Sequence, residues 1–575
     1  MKICLVALNA KYIHTNPAVA SLRAFAGAAG FSCDIIDCNI NQTDDRILKE
    51  IFRAGPDVLA FSVYLWNCET VFRIAEKVSV ILPETEIWYG GPEVSFRAEA
   101  VLNEQPFVTG IMRGEGEETF AELCACWNGT GEMGSVAGIT RRTADGHVSN
   151  PDRAPMDMDK LVFPYTDIDP DPDRIVYYES SRGCPFRCAY CLSSEDRTVR
   201  FKKTGTVERE LQWFLDRKVP LVKFTDRTFN CRKEHALAVW NYIRNHDNGI
   251  TCFHFELGAD LLDKEQLEVL TSLRPGQVQL EIGVQSLNPE TLKAVRRETD
   301  FSVLSKNVTA LKAAGNIHIH LDLIAGLPFE EMESFRHSFN GVYRMRPEQL
   351  QLGFLKVLGG TRMEQTARTG CIRYENCPPY EVLSTDWLSY GDILELKSVE
   401  EMTEVYYNSG QFERTLTELE KTFPDPYAML RALADFYREH GYDAVSHSRL
   451  RRYEIVLEFV QESGRDRERF LPCLILDAYG RENVKTRPEW MGDSGITSRE
   501  SRSFYAAEAA SPLYLPGYED YSPQQMHSMT HLERVGEQVF LFDYRKRDPL
   551  TNNALVRSVP AEAFRRVPQG SVPKI

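Results

Sequence analysis

The sequence lacks the features that mark membrane, secreted, repeat and disordered proteins. No uninterrupted apolar run among its 575 residues reaches the roughly 18 residues of a membrane span. The opening residues, MKICLVALNAKY, form an apolar, strand-like start without the pattern of a cleavable signal. Neither an internal repeat nor a low-complexity tract is present. We therefore expect a globular protein located in the cytoplasm.

A disulfide scaffold is also missing. The fourteen cysteines are dispersed along the chain, and a reducing compartment would keep them as thiols. Isolated cysteines such as Cys4 lie in apolar, strand-like runs and are expected to be small buried hydrophobes. Only Cys184, Cys188 and Cys191 form a cluster.

Basic residues are fewer than acidic ones. The chain has 67 Lys and Arg against 83 Asp and Glu, a formal net charge of −16. A negative field disfavours non-specific binding of phosphate backbones, so nucleic acid is not an expected partner. Apolar residues make up 43% and charged residues 26%, the balance of an ordinary globular protein, and a chain of this length is expected to form about two to four domains.

The first 150 residues alternate apolar runs with amphipathic stretches. This alternation is typical of a parallel sheet with helices on both faces, so we predict an α/β, Rossmann-like doubly wound domain at residues 1–150. The predicted strands are KICLVAL, CDIID, DVLAFSV, EIWYG and FVTGIMR.

Three loops at the carboxyl ends of these strands are candidate ligand sites, because ligands of such sheets bind there. They are residues 62–67 (SVYLWN), 90–93 (GGPE) and 113–117 (RGEGE). Glycines let the backbone approach a ligand closely and supply N–H groups at a helix start. Spacing alone leaves two alternatives open, a ligand site and tight strand-to-helix turns.

The remaining residues divide into a linker and two further domains. Residues 151–173 are rich in Pro and Asp and are predicted to be a linker. Residues 174–385 are predicted to form a partial (β/α)6 barrel with its chemistry at the C-terminal ends of the strands. Residues 386–575 contain long amphipathic stretches and predict a mainly helical domain of unknown role. The barrel strands are predicted at RIVYYESS, PLVKFTD, TCFHFEL, QVQLEIGV, IHIHLDLIAG and LQLGFLKVL.

The clustered cysteines follow the first predicted barrel strand. Their Cys-x3-Cys-x2-Cys spacing places three thiolates in one loop, where they can bind three corners of a cubane [4Fe-4S] cluster and leave the fourth iron open. A structural zinc site is the alternative, but it normally needs four ligands, and no second pair with suitable spacing follows. The sequence therefore favours a catalytic iron–sulfur cluster.

This motif resembles the signature of the radical S-adenosylmethionine superfamily, in which an aromatic residue, here Tyr190, precedes the third cysteine. The resemblance covers about residues 174–360. It implies that the open iron binds S-adenosylmethionine and that an electron from the cluster, delivered by an external flavodoxin- or ferredoxin-like donor, splits its sulfonium bond. The resulting 5′-deoxyadenosyl radical would attack an unreactive C–H bond.

The same resemblance implies which residues contact S-adenosylmethionine. For the carboxylates among them, an interior salt bridge of the barrel is the alternative. One departure is that FTDR (224–227) stands where many members carry Gly-Gly-Glu, which leaves the group that holds the methionine amine unidentified. The expected contacts are Tyr190, Glu256, Glu281, Gln285, Gly326, Leu327 and Pro328.

A doubly wound domain ahead of a radical domain resembles the cobalamin-binding subgroup of the superfamily. The GGPE and RGEGE loops match its habitual motifs, and Ser62 is expected near the nucleotide tail. The residues that the resemblance implies as cobalamin contacts are Ser62, Tyr64, Leu65, Trp66, Gly90, Gly91, Pro92, Glu93, Gly114, Glu115, Gly116 and Glu117.

Cobalamin enzymes outside this subgroup supply a histidine to cobalt from an Asp-x-His-x-x-Gly motif. Only Asp145-Gly-His147 approaches that motif, and it lacks the final glycine and is expected to lie after the sheet. We predict no histidine–cobalt bond and expect Tyr64, Leu65 or Trp66 to cover the lower face.

The resemblance implies a radical enzyme, with methyl transfer from methylcobalamin to carbon as the leading reaction. A non-methylating rearrangement or oxidation is one alternative, and a cobalamin- or redox-sensing binding protein is another. The C-terminal region and the segment AKYIHTNPA resemble an uncharacterised set of cobalamin radical proteins, which names no substrate.

Overall fold

The computed structural model of the chain describes residues 1–166, 170–194 and 198–565. It divides into two compact units. The first comprises Met1–Phe335 and Gly353–Ile393, and the second comprises Arg336–Leu352 together with the described residues from Leu394 onwards. The predicted linker, 151–173, includes residues 167–169, which lie outside the described residues.

Residues 1–150, all described, form the predicted doubly wound domain. Five parallel strands run in the order β2-β1-β3-β4-β5, and β1 and β3 are buried along their whole length because helices cover both faces of the sheet. The elements are β1 (Ile3–Asn9), α1 (Pro17–Ala28), β2 (Asp34–Asn39), α2 (Asp44–Ala54), β3 (Val58–Ser62), α3 (Cys68–Ile81), β4 (Glu86–Gly90), α4 (Pro92–Ser95), α5 (Ala98–Glu104), β5 (Gly110–Met112), α6 (Glu117–Trp127), β6 (Ile139–Thr143) and β7 (Gly146–Ser149).

Strands β6 and β7 correct one expectation. They form an antiparallel hairpin that extends the sheet beyond β5, so His147 lies within the edge strand and not after the sheet. The Asp145-Gly146 pair is a hairpin turn signal, and Gly146 takes the positive φ of 122° that such turns require. His147 sits opposite Arg142, at the edge remote from the loop that follows β3.

The barrel strands in the first unit are β14-β13-β12-β11-β8, all parallel. Alternate residues of β13 and β14 are buried against the helices, and the others face the barrel interior. The sixth strand, β15, straddles the boundary between the units. The elements are β8 (Val176–Tyr178), β9 (Ser181–Arg182), β10 (Arg200–Phe201), α7 (Thr204–Asp216), β11 (Leu221–Phe224), α8 (Lys233–Asn245), β12 (Cys252–Leu257), α9 (Lys264–Thr271), β13 (Val278–Gln285), α10 (Pro289–Ala294), α11 (Phe301–Ala314), β14 (His318–Ala325), α12 (Met332–Arg344), β15 (Gln349–Phe354), α13 (Arg362–Thr366), β16 (Ile372–Tyr374) and β17 (Val382–Thr385).

The loop between β1 and α1 joins the two sheets of the first unit. Its residue His14 bridges to Ile175, next to β8, as a parallel strand would, and the Ile175 amide donates to the Ile13 carbonyl at 2.7 Å. Arg174 adds an ion pair with Asp37 at 2.6 Å. The doubly wound domain therefore supplies a strand-like segment that covers the open edge of the barrel.

The second unit is mainly helical, as predicted, and carries a small antiparallel sheet, β18-β19-β20. The stretches QFERTLTELEKTF, DPYAMLRALADFYREHGY and RYEIVLEFVQE contain α15, α16 and α17. Among the described residues, no helix is both long and apolar enough to cross a bilayer. The elements are α14 (Tyr390–Met402), α15 (Glu413–Glu420), α16 (Pro426–Glu439), α17 (Arg449–Glu462), α18 (Arg467–Arg481), α19 (Ser498–Ala510), α20 (Pro523–Met529), β18 (Thr530–Val535), β19 (Gln538–Arg547) and β20 (Ala554–Val559).

Gly91, which follows β4, offers a test of this packing. Its φ is 118°, and a Cβ there would lie 2.4 Å from the Val63 carbonyl oxygen. We expect Gly91→Ala to destabilise the first domain by about 3 kcal/mol. Gly114→Ala, at φ 74° with open space around it, is the control and should cost only about 1 kcal/mol. Equal melting temperatures for the two variants would contradict the close contact.

Candidate functional site

The three clustered cysteines lie in a loop that is closed at its base. Strands β9 and β10 pair antiparallel with Arg182 opposite Arg200, and the cysteines lie between them. Residues 195–197 of this loop lie outside the described residues. Cys184 and Cys188 are buried, at 8% and 7% exposure, and Cys191 is partly exposed. All fourteen cysteines of the chain are described, and all are free thiols.

The backbone between Cys188 and Cys191 is held from two sides. The Ala189 amide donates to the Val295 carbonyl at 2.8 Å, and the Ala189 carbonyl accepts from the Met363 amide at 2.8 Å. The Cys191 amide donates to the Cys188 carbonyl at 3.1 Å. The loop after α10 and the start of α13 therefore fix the middle of the cysteine loop.

Two donors lie next to the thiols. Thr228 Oγ1 is 3.6 Å from Cys184 Sγ, and Arg297 Nη1 is 3.9 Å from Cys188 Sγ. Burial raises the pKa of the Cys184 thiol, and the hydrogen bond with Thr228 opposes that shift. Iron binding requires thiolates, so donors at these sulfurs suit a metal cluster.

Thr228 owes its position to a buried network. The Asp226 carboxylate accepts from the Ser180 amide at 3.0 Å, from Ser180 Oγ at 2.6 Å and from Ser181 Oγ at 2.5 Å. Burial raises the pKa of Asp226 to about 6 despite these bonds. The FTDR segment, which departs from the superfamily pattern, thus ties the end of β11 to the residues that enter the cysteine loop.

Gln285 ends β13 in a strained conformation. Its φ is 72°, the register shifts between Gly283 and Gln285, and no described residue hydrogen-bonds to its Oε1. A Cβ at Gly283 would lie 2.2 Å from Gln285 Nε2, so glycine makes room for the amide. A bulge that aims an unpaired, buried amide at the rim of the barrel is typical of a ligand site.

Arg297 was missed from the sequence. Its guanidinium donates to the Gly283 carbonyl and approaches Cys188, and its Nε meets no acceptor among the residues that the structure describes. Burial lowers the pKa of Arg297, but the charges of Tyr190 and Cys188 outweigh this and raise it overall. The only sequence signal was a basic pair, Arg296-Arg297, after a short helix.

The two carboxylates of the barrel interior have different environments. Glu281 lies 3.1 Å from Lys223 Nζ and 3.0 Å from His254 Nε2. Burial alone would raise the pKa of Glu281, but the hydrogen bond with His254 and the charge of Lys223 lower it to about 2. Burial raises the pKa of Glu256 to about 7, and its carboxylate makes no hydrogen bond with the described residues. Glu281 is therefore engaged in an interior ion pair, and Glu256 is available to a ligand.

The segment after β14 offers mainly backbone. Gly326 has φ 87°, and a Cβ there would lie 2.6 Å from Val382 Cγ1. Leu327 and Pro328 are buried, Leu327 completely. A ligand at this edge would meet peptide groups of residues 326–328 and not the Leu327 side chain.

The loop after β3 presents aromatic rings. Tyr64 and Trp66 stack with centroids 4.4 Å apart and an interplanar angle of 9°, and Trp66 is 50% exposed. Leu65 between them is partly buried. The Ser62 hydroxyl accepts from Asn16 Nδ2 at 2.9 Å and is thereby engaged within the domain. The stacked pair offers a flat apolar face to a flat ligand.

The carboxylates of the other two loops are paired. Glu93 accepts from Tyr380 Oη at 2.5 Å. Glu117 pairs with Arg182 at 2.5 Å, and Glu115 pairs with Arg200 at 2.5 Å. Of the two arginines, Arg182 was missed from the sequence, and Arg200 was expected to bind an anion or to lie on a solvated face. Gly90, Gly91, Pro92, Gly114 and Gly116 line the same edge and supply backbone only.

Three family models match the chain. A B12 binding domain covers residues 3–124, the radical SAM superfamily covers residues 178–340, and a family of proteins of unknown function, DUF4080, covers residues 371–555. The first two coincide with the doubly wound domain and with the barrel that holds the cysteine loop.

Similar proteins combine the same parts. The cobalamin-dependent radical SAM methyltransferase TokK of Streptomyces tokunonensis is 26% identical over 49% of this chain and 44% of its own length. An uncharacterised methyltransferase of Pyrococcus horikoshii is 22% identical over 70% of this chain and 85% of its own length. This chain thus spans less than half of the first relative.

One solved structure shows the shared fold. The radical S-adenosylmethionine methyltransferase TsrM of Kitasatospora setae, with cobalamin and a [4Fe-4S] cluster bound, superposes with a TM-score of 0.55. It is 16% identical and covers 66% of this chain and 79% of its own.

The contact between Thr228 and Cys184 predicts an effect on the cluster. A hydrogen bond to a ligand sulfur stabilises the more negative, reduced state, so Thr228→Val should lower the midpoint potential by about 40 mV, equivalent to roughly 1 kcal/mol. Thr228→Ser, which keeps the hydroxyl, should restore it. Redox titration of the reconstituted protein followed by EPR measures this, and an unchanged potential in Thr228→Val would contradict the hydrogen bond.

Proposed function

We propose that this chain, which joins a B12-binding domain to a radical SAM domain, is a cobalamin-dependent radical enzyme that methylates a carbon atom of its substrate. One observation carries the proposal. The loop that carries the three clustered cysteines lies at the carboxyl edge of the barrel strands, where the residues that flank it contact the RGEGE loop of the B12-binding domain.

The residues present fit both cofactors. Cys184, Cys188 and Cys191 would hold three irons, and Gln285 Oε1, buried at the same edge, has no hydrogen-bond partner among the described residues. When bound, the cluster and methylcobalamin supply an electron and a methyl group to chemistry that starts from S-adenosylmethionine. The chain itself positions these groups.

Several side chains would hold S-adenosylmethionine. Within the described part of the chain, Gln285 offers an amide oxygen without a hydrogen-bond partner and Glu256 a buried carboxyl group, and Arg297 offers a cation beside Cys188. Residues 326–328 would meet the adenine through their backbone. Glu281 would act indirectly, because its carboxylate already binds Lys223 and His254.

Cobalamin would lie on the carboxyl edge of the first sheet. The stacked pair Tyr64 and Trp66, with Leu65, would cover its lower face, and the glycines of the GGPE and RGEGE loops would admit it close to the backbone. Ser62 would contribute near the nucleotide tail. His147 lies at the far edge, so no histidine bond to cobalt is expected from it.

Methyl transfer is favoured over rearrangement or oxidation because TokK and the Pyrococcus horikoshii protein are named as methyltransferases, although other similar proteins are named as anaerobic magnesium-protoporphyrin IX monomethyl ester cyclases. We propose the domain division 1–150, 174–385 and 386–575, with the linker at 151–173. A flavodoxin- or ferredoxin-like protein would supply the electron.

Reconstitution tests the reaction. Protein loaded anaerobically with iron, sulfide and cobalamin and then reduced should convert S-adenosylmethionine to 5′-deoxyadenosine, measured by liquid chromatography and mass spectrometry. Cys188→Ala should fall to background, and Cys371→Ala, outside the cluster, should match the wild type. Formation of S-adenosylhomocysteine alongside 5′-deoxyadenosine would support methylation. A fully loaded protein that leaves S-adenosylmethionine intact would refute the proposal.

The lower face of cobalt is tested separately. EPR of bound cob(II)alamin should give the same spectrum in protein made with ¹⁴N- or ¹⁵N-histidine, because the aromatic pair and not an imidazole would cover the lower face. Trp66→Ala should weaken cobalamin binding about tenfold, and His147→Ala should leave it unchanged. A splitting that changes with the histidine isotope would contradict this arrangement.

A further inference from the structure

We infer that Glu115, Glu117, Arg182 and Arg200 form an ion-pair clamp that fixes the cysteine loop to the B12-binding domain and so sets the position of the cluster relative to cobalamin. The inference rests on the proposed function. It assigns the two carboxylates to positioning and not to direct contact with a cofactor.

Arg182 is the centre of the clamp. Its Nη2 lies 2.5 Å from Glu117 Oε1, and its Nη1 lies 3.2 Å from Glu117 Oε2, a bidentate arrangement. Its Nε is 2.9 Å from both oxygens of Glu179, on its own chain segment. Arg182 is two residues before Cys184, so the entry to the cysteine loop is tied directly to the first turn of α6.

Arg200 repeats this arrangement at the exit of the loop. Its Nη2 lies 2.5 Å from Glu115 Oε1, and its Nη1 lies 3.2 Å from Glu115 Oε2. The Met156 carbonyl accepts from Arg200 Nη1 at 2.6 Å, and the Met156 amide donates to Glu115 Oε2 at 2.8 Å. Arg200 in β10 lies opposite Arg182 in β9, so the two ends of the cysteine loop are side by side. Both ends therefore contact the same five-residue segment, RGEGE.

The clamp is shielded from water. Side-chain exposure is 6% for Glu117, 14% for Arg200 and 16% for Arg182. Burial would raise the pKa of Glu117, but the charge of Arg182 more than compensates and lowers it, so Glu117 is ionised at neutral pH. Bidentate pairs of this kind fix direction as well as distance, and loss of one partner leaves a buried charge uncompensated.

These contacts use the carboxylate oxygens that a cofactor would need. Both oxygens of Glu115 and both of Glu117 lie within hydrogen-bond distance of a guanidinium, and Ser21 Oγ adds a third contact to Glu117 at 2.9 Å. What the RGEGE loop gives a cofactor is therefore backbone, while its acids hold the neighbouring domain. A methyl group on cobalamin reaches a substrate radical only if the two cofactor sites keep a fixed spacing, and the clamp provides it.

The test measures that spacing by EPR. In loaded wild-type protein, reduction of the cluster should speed the relaxation of cob(II)alamin, seen as a higher half-saturation power. The double variant Glu115→Gln/Glu117→Gln, with equal cofactor content, should show at least a twofold smaller enhancement, and Arg182→Lys, which keeps the charge but loses the bidentate pair, should show an intermediate value. Asp37→Asn removes the separate ion pair with Arg174 and should behave as wild type.

A second measurement applies to variants that bind the cofactors poorly. Hydrogen exchange of the protein without cofactors should speed up at least fivefold in residues 183–194 of the double variant and stay unchanged there in Asp37→Asn. The inference would be overturned if the double variant, with both cofactors bound, showed the same relaxation enhancement as the wild type. It would also be overturned if hydrogen exchange in residues 183–194 of the double variant were as slow as in the wild type. A wild-type protein that takes up no cobalamin would count against the proposed function alone, because the exchange measurement would still decide the inference.

Discussion

Three thiolates on one short loop can bind only three irons of a cubane, and the rest of the site depends on this constraint. The fourth iron has to receive its ligand from outside the loop, so the loop must stay open on one side and rigid on the others. Its rigidity comes from the pairing of β9 with β10 and from the bonds of Ala189 to Val295 and Met363. The open side faces the carboxyl edge of the barrel, where Gln285, Glu256 and Arg297 lie.

The same edge is shared by the two α/β parts of the first unit. The strand-like loop at His14 lies along β8, and the clamp joins the RGEGE loop to both ends of the cysteine loop. Glu93, from the GGPE loop, reaches Tyr380 beyond the barrel strands. These contacts hold the two sheets, each of which is proposed to carry one cofactor, at a fixed spacing.

Local patterns in the sequence were sufficient for the strands, the order of the parts and the cysteine loop, because each depends on residues close in the chain. They failed where partners are distant. Arg182 and Glu117 are 65 residues apart, and no local pattern indicated that the acids of RGEGE would pair with Arg182 and Arg200 instead of contacting a cofactor. The backbone conformation of Gln285 and the position of Arg297 depend on the bulge in β13. The hydrophobic periodicity of the sequence does not reveal such a bulge. The misplacement of His147 had a local cause, an unrecognised hairpin turn.

The proposed cluster has one iron open to S-adenosylmethionine. The EPR spectrum of the reduced, reconstituted protein before and after S-adenosylmethionine is added tests this most directly, with iron and zinc counted per chain. We expect about four irons, no zinc and a [4Fe-4S]⁺ signal whose g values shift when S-adenosylmethionine is added. A zinc-containing protein without the signal, or a cluster signal that S-adenosylmethionine leaves unchanged, would contradict it.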